Sequence, residues 1–297
     1  MGTPLIKRIA WAAKNATPKS IKNLTRPMRQ AMTLALVNRR MHDADKRLRP
    51  SFIIPGAMKA GTSALFEYLM AHPLVAEPLI KEIHYFIFNT ARPPAWYFAH
   101  FPRRDEVPEG AITGEASPSY FAPGNLAPDI MKLLPDVKLV ALFRDPVMRA
   151  ISHYHHEVSV GHEKRPMDVA LFDPRSVHWP NVIRKSRDDG YTGQRFMTYR
   201  PYVNHSYYDH MVENFSAFME KGQMMIVRSE DMFENPRAIF DQVIAYLGLP
   251  PHDPGPLPPM FQGSYGETDP AIIERLKEIY APHNERLYRL IGRDMGW

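Results

Sequence analysis

Three short apolar runs stand out along the chain. Ser51-Phe52-Ile53-Ile54 is closed by Pro55-Gly56, Val137 to Phe143 reads VKLVALF, and Met224 to Val227 is the third. Continuous apolar runs of this kind, bounded by turn residues, predict buried strands. Between them the period lengthens. Thr62 to Ala71 sets Leu65 and Leu69 on one face and ends at His72-Pro73. Arg144-Asp145-Pro146 leads into a helix reaching about Val160, with Pro146 suited to its first turn. Pro236 to Leu247, closed by Gly248, and Asp269 to Leu290 predict two more helices. Pro250 to Pro259 holds six prolines and predicts a loop. Strands alternating with helices predict a parallel α/β sheet covered on both faces. No internal repeat and no clean two-domain break interrupt the pattern.

Ahead of the first strand the chain has a different character. A helical stretch from about Met28 to Leu48 leads to Arg49-Pro50, which sets the expected boundary between a leader, 1–49, and one domain, 50–297. Leu5, Ile9 and Ala13 recur at four-residue spacing. That spacing leaves two readings open, a short amphipathic helix on an anionic membrane or a surface helix with a frayed end. No run approaches the roughly 20 apolar residues that a membrane span needs.

Composition refines this picture. The chain has 297 residues, 44% hydrophobic and 23% charged, which suits a globular protein with a sizeable core. It has no cysteine, excluding a disulfide scaffold, a thiol nucleophile and Cys-based metal centres. The net charge of +5 is unevenly placed. Residues 1–49 carry twelve Lys/Arg against Asp43 and Asp45, so the remainder holds 25 basic and 30 acidic residues. The body is acidic and its leader basic.

Three segments carry candidate chemistry. The first strand runs into Gly56-Ala57-Met58-Lys59-Ala60-Gly61-Thr62-Ser63 and then a helix. A glycine-bearing turn into a helix N-terminus presents free amides and a positive dipole end to an anion. The nucleotide-hydrolase phosphate loop needs Gly-Lys-Ser/Thr, whereas here Lys59 lies inside the loop and Thr62 follows Gly61. In Lys81-Glu82-Ile83-His84, alternation in an extended chain puts Glu82 and His84 on one side, a pairing suited to proton abstraction or to a solvated face. Arg144 at a strand end and Ser152 two turns into the next helix can converge on one phosphate; the alternative is an Arg144–Asp145 ion pair holding the turn.

The order of these segments resembles sulfotransferases that use 3′-phosphoadenylyl sulfate (PAPS), most closely the heparan-sulfate-type carbohydrate enzymes and their bacterial relatives. The likeness extends from about Phe52 to Gly292. It takes in Gly114-Glu115-Ala116-Ser117-Pro118-Ser119-Tyr120, Arg228 to Pro236, Tyr246 to Leu249 and Tyr280 to Leu287. It implies a three-layer α/β fold around a central parallel sheet of P-loop-like topology. It further implies that Lys59, Ala60, Gly61, Thr62 and Ser63 cradle the donor's 5′-phosphosulfate, with Lys59 on the bridging oxygen. By the same likeness Arg144 and Ser152 hold the 3′-phosphate, Glu82 is the general base, and His84 stands beside it. The implied donor is PAPS, the product 3′,5′-ADP (PAP), and no metal is required. The implied acceptor is a hydroxyl or amine on a carbohydrate or a lipid-linked group.

Some positions depart from the family pattern. Many relatives have Glu-Lys where this chain has Glu115-Ala116, and a basic residue is missing from Gln262-Gly263-Ser264-Tyr265, where relatives close the donor pocket. His153, His155 and His156 share one predicted helix and read as helix surface rather than a metal site, with His156 a candidate to line the acceptor cleft. The segments Thr90 to Asp105 and Asp173 to Arg200 are the expected acceptor walls, through Trp96, Tyr97, Arg103, Arg104, Trp179, Arg184, Lys185 and Arg187. Two rival readings remain: a P-loop kinase or nucleotide hydrolase, and a non-catalytic membrane or nucleic-acid adaptor acting through the leader. The leading reading expects no nucleic-acid partner. It expects a cytoplasmic, bacterial setting, with residues 1–30 available to an anionic inner-membrane face.

Overall fold

The computed structural model describes residues 19–121, 125–177, 200–259 and 266–297, with side chains from residue 28 onward, residue 29 excepted. The three apolar runs form strands, and two unexpected strands complete the sheet. β1 (Phe52–Ile53), β2 (Val75–Ala76), β3 (Ile112–Glu115), β4 (Lys138–Phe143) and β5 (Met224–Arg228) lie in the order β2-β3-β1-β4-β5, all parallel. Phe52 stands between Gly114 and Lys138 in register. Phe52, Ile53 and Leu139 through Phe143 are wholly buried, which is why their sequence runs are unbroken rather than alternating.

Helices cover the sheet. They include α1 (Lys19–Arg40), α2 (Thr62–Leu69), α3 (Pro94–Phe98), α4 (Ala127–Leu133), α5 (Pro146–Ser159), α6 (Tyr208–Asn214), α7 (Pro236–Leu247) and α8 (Pro270–Ile291). Local sequence sets their ends. Asp145 caps α5 by accepting from the amides of Val147 and Met148, with Pro146 in the first turn. Asn235 caps α7, and Gly248 ends it in the left-handed region at φ 84°. From β1 the chain proceeds to the β2 edge, and from β4 to the β5 edge. The carboxyl ends of β1 and β4 therefore flank the switch point where such folds bind ligands.

The leader differs from its expected form. Among the described residues the helix covers Lys19–Arg40 and stops there, and Met41–Lys46 tightens into a 3₁₀ turn broken at Asp43. Asp43 is buried there, 2.7 Å from Arg47 and 2.9 Å from Arg103. Arg40 and Arg47 both donate to the Phe101 carbonyl. The leader is thus stitched to the body before Arg49-Pro50 is reached. Leu5, Ile9 and Ala13 lie outside the described residues.

Candidate active site

The loop after β1 is pinned on both sides. Ala57 N donates to Leu142 O (2.7 Å) and Leu142 N to Gly56 O (2.8 Å), extending the β1–β4 pairing past the strand end. Lys59 and Gly61 turn the chain with φ of 68° and 93°. At Gly61 the left-handed conformation calls for glycine, and a Cβ there would also displace the end of the Met232 side chain, whose Cε would lie 2.5 Å away. The loop's carbonyls are occupied: Arg144 Nη1 donates to Lys59 O (3.2 Å) and Ser229 Oγ to Ala60 O (2.7 Å). The first amides of α2, from Thr62 onward, have no partner within the helix. The loop therefore leads into unpaired donors at the positive end of a helix, with Ala60 N turned back to Ala57 O (3.2 Å).

Arg144 stands at the end of β4, its carbonyl held by Tyr208 Oη (3.0 Å), whose ring stacks on Phe143. Asp145 is spent on capping α5, so the Arg144–Asp145 ion pair does not hold the turn. Ser152 is buried along the same helix. Burial, then the charges of Arg144 and Arg149, hold the Lys59 ammonium below its ordinary pKa.

Across from the loop, Glu82 and His84 meet, with His84 Nε2 3.3 Å from Glu82 Oε2. Strand alternation is not the cause. The segment is irregular, and His84 adopts φ 53°, turning its ring back toward Glu82. Its Nδ1 hydrogen-bonds Ser119 Oγ (2.8 Å) and its amide donates to Ser117 Oγ (3.0 Å). Lys81 Nζ lies 2.7 Å from Glu82 Oε1 and donates to Ser63 Oγ at 2.5 Å. Burial in the cleft alone would raise the Glu82 carboxyl. The His84 hydrogen bond and the Lys81 charge outweigh it and hold the pKa at about 2, with the side chain still 41% exposed.

Beneath this segment lies Glu115, wholly buried, which sequence reading had not marked as a site residue. It accepts from Ser117 Oγ (2.5 Å), Tyr97 Oη (2.8 Å), Tyr120 Oη (3.1 Å) and Ile83 N (3.3 Å). Burial raises its pKa, and hydrogen bonds from Ser117 and Tyr97 offset this only in part. Lys81 is fixed to the same strand end, its carbonyl accepting from Ala116 N (3.0 Å). A charged residue between the small, apolar positions of Gly114-Glu115-Ala116 was the available signal.

Other expectations are corrected. Trp96 and Tyr97 are buried in the core and do not line a cleft, while Arg103, partly exposed, is ion-paired to Asp43 and Asp105. His153 is buried rather than on the helix surface, while His156 is exposed. Arg149 is also buried, bonded through Nε to Ser206 Oγ and through Nη2 to Tyr202 O. Among the described residues, three potential metal-ligating side chains meet only at Asp209, His210 and His283. Asp209 there is hydrogen-bonded by His283 (2.9 Å) and lies 3.7 Å from Arg286, an arrangement that ties α6 to α8 by charge. Trp179, Arg184, Lys185, Arg187 and Gln262-Gly263-Ser264-Tyr265 lie outside the described residues. No helix among the described residues is long and apolar enough to cross a membrane.

A parallel sheet with a glycine-bearing loop opening a helix at its switch point, faced by an ionised carboxylate, defines a candidate group-transfer site. Comparisons with known proteins narrow the class. The sulfotransferase domain model matches residues 49–262. Human heparan sulfate glucosamine 3-O-sulfotransferase 3A1 is 29% identical over 292 residues, covering 89% of this chain and 65% of that protein. The membrane-associated sulfotransferase kil1 of Dictyostelium discoideum is 26% identical over 312 residues, covering 84% of this chain and 66% of that one. The crystal structure of a sulfotransferase from Alicyclobacillus acidocaldarius superimposes with a TM-score of 0.61 at 26% identity, over 83% of this chain and 97% of that one. The chain belongs to the sulfotransferase family, and it spans about two thirds of the length of these curated relatives.

Proposed function

We propose that the protein transfers a sulfuryl group from PAPS to a hydroxyl or amine of a carbohydrate or glycolipid acceptor. The observation that carries this reading is that one ammonium, Lys81, bonds both Ser63 of the anion loop and Glu82. Donor cradle and base therefore stand within reach of a single transferring group. The amides of Lys59, Gly61, Thr62 and Ser63 and the hydroxyls of Thr62 and Ser63 bind the 5′-phosphosulfate, while Ala60 N is held by Ala57 O (3.2 Å) and shapes the loop. Arg144 and Ser152 take the 3′-phosphate.

In the reaction, Glu82 accepts the proton of the acceptor hydroxyl and His84 keeps the carboxylate aimed. The freed oxygen attacks sulfur, the bond to the bridging oxygen breaks, and PAP leaves with the electron pair. Lys59 stabilises the charge that develops on that oxygen. Transfer of this type asks chiefly for positioning and charge stabilisation, by analogy with phosphoryl transfer, and the assigned groups require no metal.

The names of the heparan sulfate relatives support a carbohydrate acceptor. The leader supports a second, peripheral feature. Met28, Met32 and Leu36 recur every fourth residue on α1 and are 61%, 65% and 41% exposed, in a leader bearing twelve basic residues. An apolar stripe within a basic helix suits the cytoplasmic face of an anionic membrane. Calorimetry tests the main reading: PAP should bind tightly and ATP with magnesium should not. Equal or tighter ATP binding favours a kinase or nucleotide hydrolase. Loss of all function on deleting residues 1–49, with no PAP binding in the full chain, favours an adaptor.

A further inference from the structure

The two lysines of the cleft are placed differently. Lys59 belongs to the anion loop, yet the charges that act on its ammonium are Arg144, Arg149 and Glu157, on the β4–α5 side. Lys81 lies 22 residues further along, outside the loop, and its Nζ is 2.5 Å from Ser63 Oγ and 2.7 Å from Glu82 Oε1. Ser63 is the second residue of α2, where the outward amides gather. An anion seated there lies one hydrogen bond from Ser63 Oγ and so falls within reach of an ammonium already bonded to that hydroxyl. An ammonium has three donor hydrogens, and Ser63 and Glu82 take two. The Lys81 main chain is anchored by Ala116 N and its side chain is only 22% exposed, so the group is held in the cleft.

We propose that Lys81 is a catalytic residue whose ammonium contacts a non-bridging oxygen of the transferring sulfuryl group while touching the base Glu82. This rests on the sulfotransferase reading of the loop and of Glu82. Lys59 then serves the leaving bridging oxygen and Lys81 the sulfuryl oxygens, so the charge spread over both ends of the breaking bond meets a cation at each. Lys81 is also the group through which a bound donor reaches the base. A sulfuryl oxygen that draws the ammonium toward Ser63 loosens its hold on Glu82, leaving His84 as the base's remaining partner. The groups facing Glu82 in this arrangement are Lys81 and His84 from its own segment, with Ser63 of α2 on the far side of the Lys81 ammonium. Behind His84 stand Ser119 and the buried Glu115.

The test needs no acceptor, because PAPS and PAP differ by the sulfuryl group alone. Calorimetry on the full chain compares both ligands in wild type, Lys81→Met and Lys81→Arg, with thermal melts to confirm folding. Lys81→Met should weaken PAPS binding about tenfold or more while changing PAP binding less than about twofold, the loss of one charge-assisted contact. Lys81→Arg should restore PAPS binding to within about threefold of wild type. If wild type binds both ligands and Lys81→Met weakens neither, or weakens both equally, the assignment of Lys81 is overturned and the functional reading stands. If wild type binds neither ligand, the functional reading itself fails, and the Lys81 assignment with it.

Discussion

Glu82 and Glu115 are two carboxylates of one site treated in opposite ways. Glu82 is 41% exposed and paired with the Lys81 ammonium and the His84 ring, whose hydrogen bond and charge outweigh burial and hold its pKa at about 2. Glu115 is wholly buried, surrounded by three hydroxyls and an amide, and its pKa is raised. The two are mechanically linked. Ile83 N, between Glu82 and His84, donates to Glu115, and Ser117 bonds both the His84 amide and Glu115. A buried carboxylate without a cation is tolerated only when donors saturate it. Here that saturation fixes the backbone carrying the exposed one. The charge available for chemistry stays at the cleft, and the charge hidden beneath it sets geometry.

Removing the exposed charge should produce the largest change. Glu82→Gln should lower sulfotransfer roughly a hundred- to ten-thousand-fold, the usual worth of a general base. PAP affinity should stay within about twofold of wild type and the melting temperature nearly unchanged. Steady-state transfer from labelled PAPS together with PAP calorimetry checks both halves. A fully active Glu82→Gln would remove the base from Glu82.

Removing the buried carboxylate should act on stability first. Glu115→Leu strands the hydroxyls of Tyr97, Tyr120 and Ser117 without their acceptor, each at a cost of about 1–3 kcal/mol. A loss of roughly 3 kcal/mol or more should appear in denaturant unfolding. The folded fraction should also transfer sulfate poorly, because Ile83 has lost its anchor. A Glu115→Leu protein that is stable, or that unfolds easily yet keeps full kcat when folded, would break the link between the two carboxylates.

Arg144→Ala should act on neither base nor core. It should weaken PAP binding about ten- to a hundredfold through loss of a charge-assisted contact, with kcat at saturating donor much less affected. A large fall in kcat with unchanged PAP affinity would move Arg144 from the donor side to the Glu82 side of the site.

The same contrast marks how far sequence carried. The elements around the glycine loop were legible because their pieces are local: an apolar run, a glycine turn and a helix start follow one another, and an arginine closes the neighbouring apolar run. The β2 and β3 strands were not. β2 has two residues, and β3 contains Gly114 and Glu115, which disfavour strands by propensity and are placed by their pairing with Phe52 and Ile53 of β1. The geometry around Glu82 depends on contacts across 18 to 35 residues, from Lys81 to Ser63 and from His84 to Ser119. No periodicity encodes such contacts. Trp96 and Tyr97 fall among the expected acceptor walls because aromatic residues suit a cleft or a core equally. Only the position of Glu115 assigns Tyr97 to the core.

The smallest expected effect tests the contrast most directly, through the sign of two pH dependences. A carboxyl whose folded pKa lies below its ordinary value stabilises the fold above that value and loses the contribution as pH falls. For Glu82 the window runs from about 4.5 down to about 2. Over it, the stability of wild type relative to Glu82→Gln should shrink as acid is added, modestly, since solvent screens a half-open ion pair. For Glu115 the raised pKa reverses the slope. Burying it ionised opposes folding, and the penalty is absent well below 4.5 and grows as pH rises past that value. Wild type should therefore lose stability relative to Glu115→Gln as pH rises, whatever constant offset the amide introduces through its altered hydrogen bonds. Denaturant unfolding of the three proteins across this range gives two difference curves. Opposite slopes are expected, because an ammonium and an imidazole hold one carboxylate, and hydroxyls and an amide the other. Slopes of the same sign would mean that both carboxylates are governed by one environment, and the division of labour between them would fall.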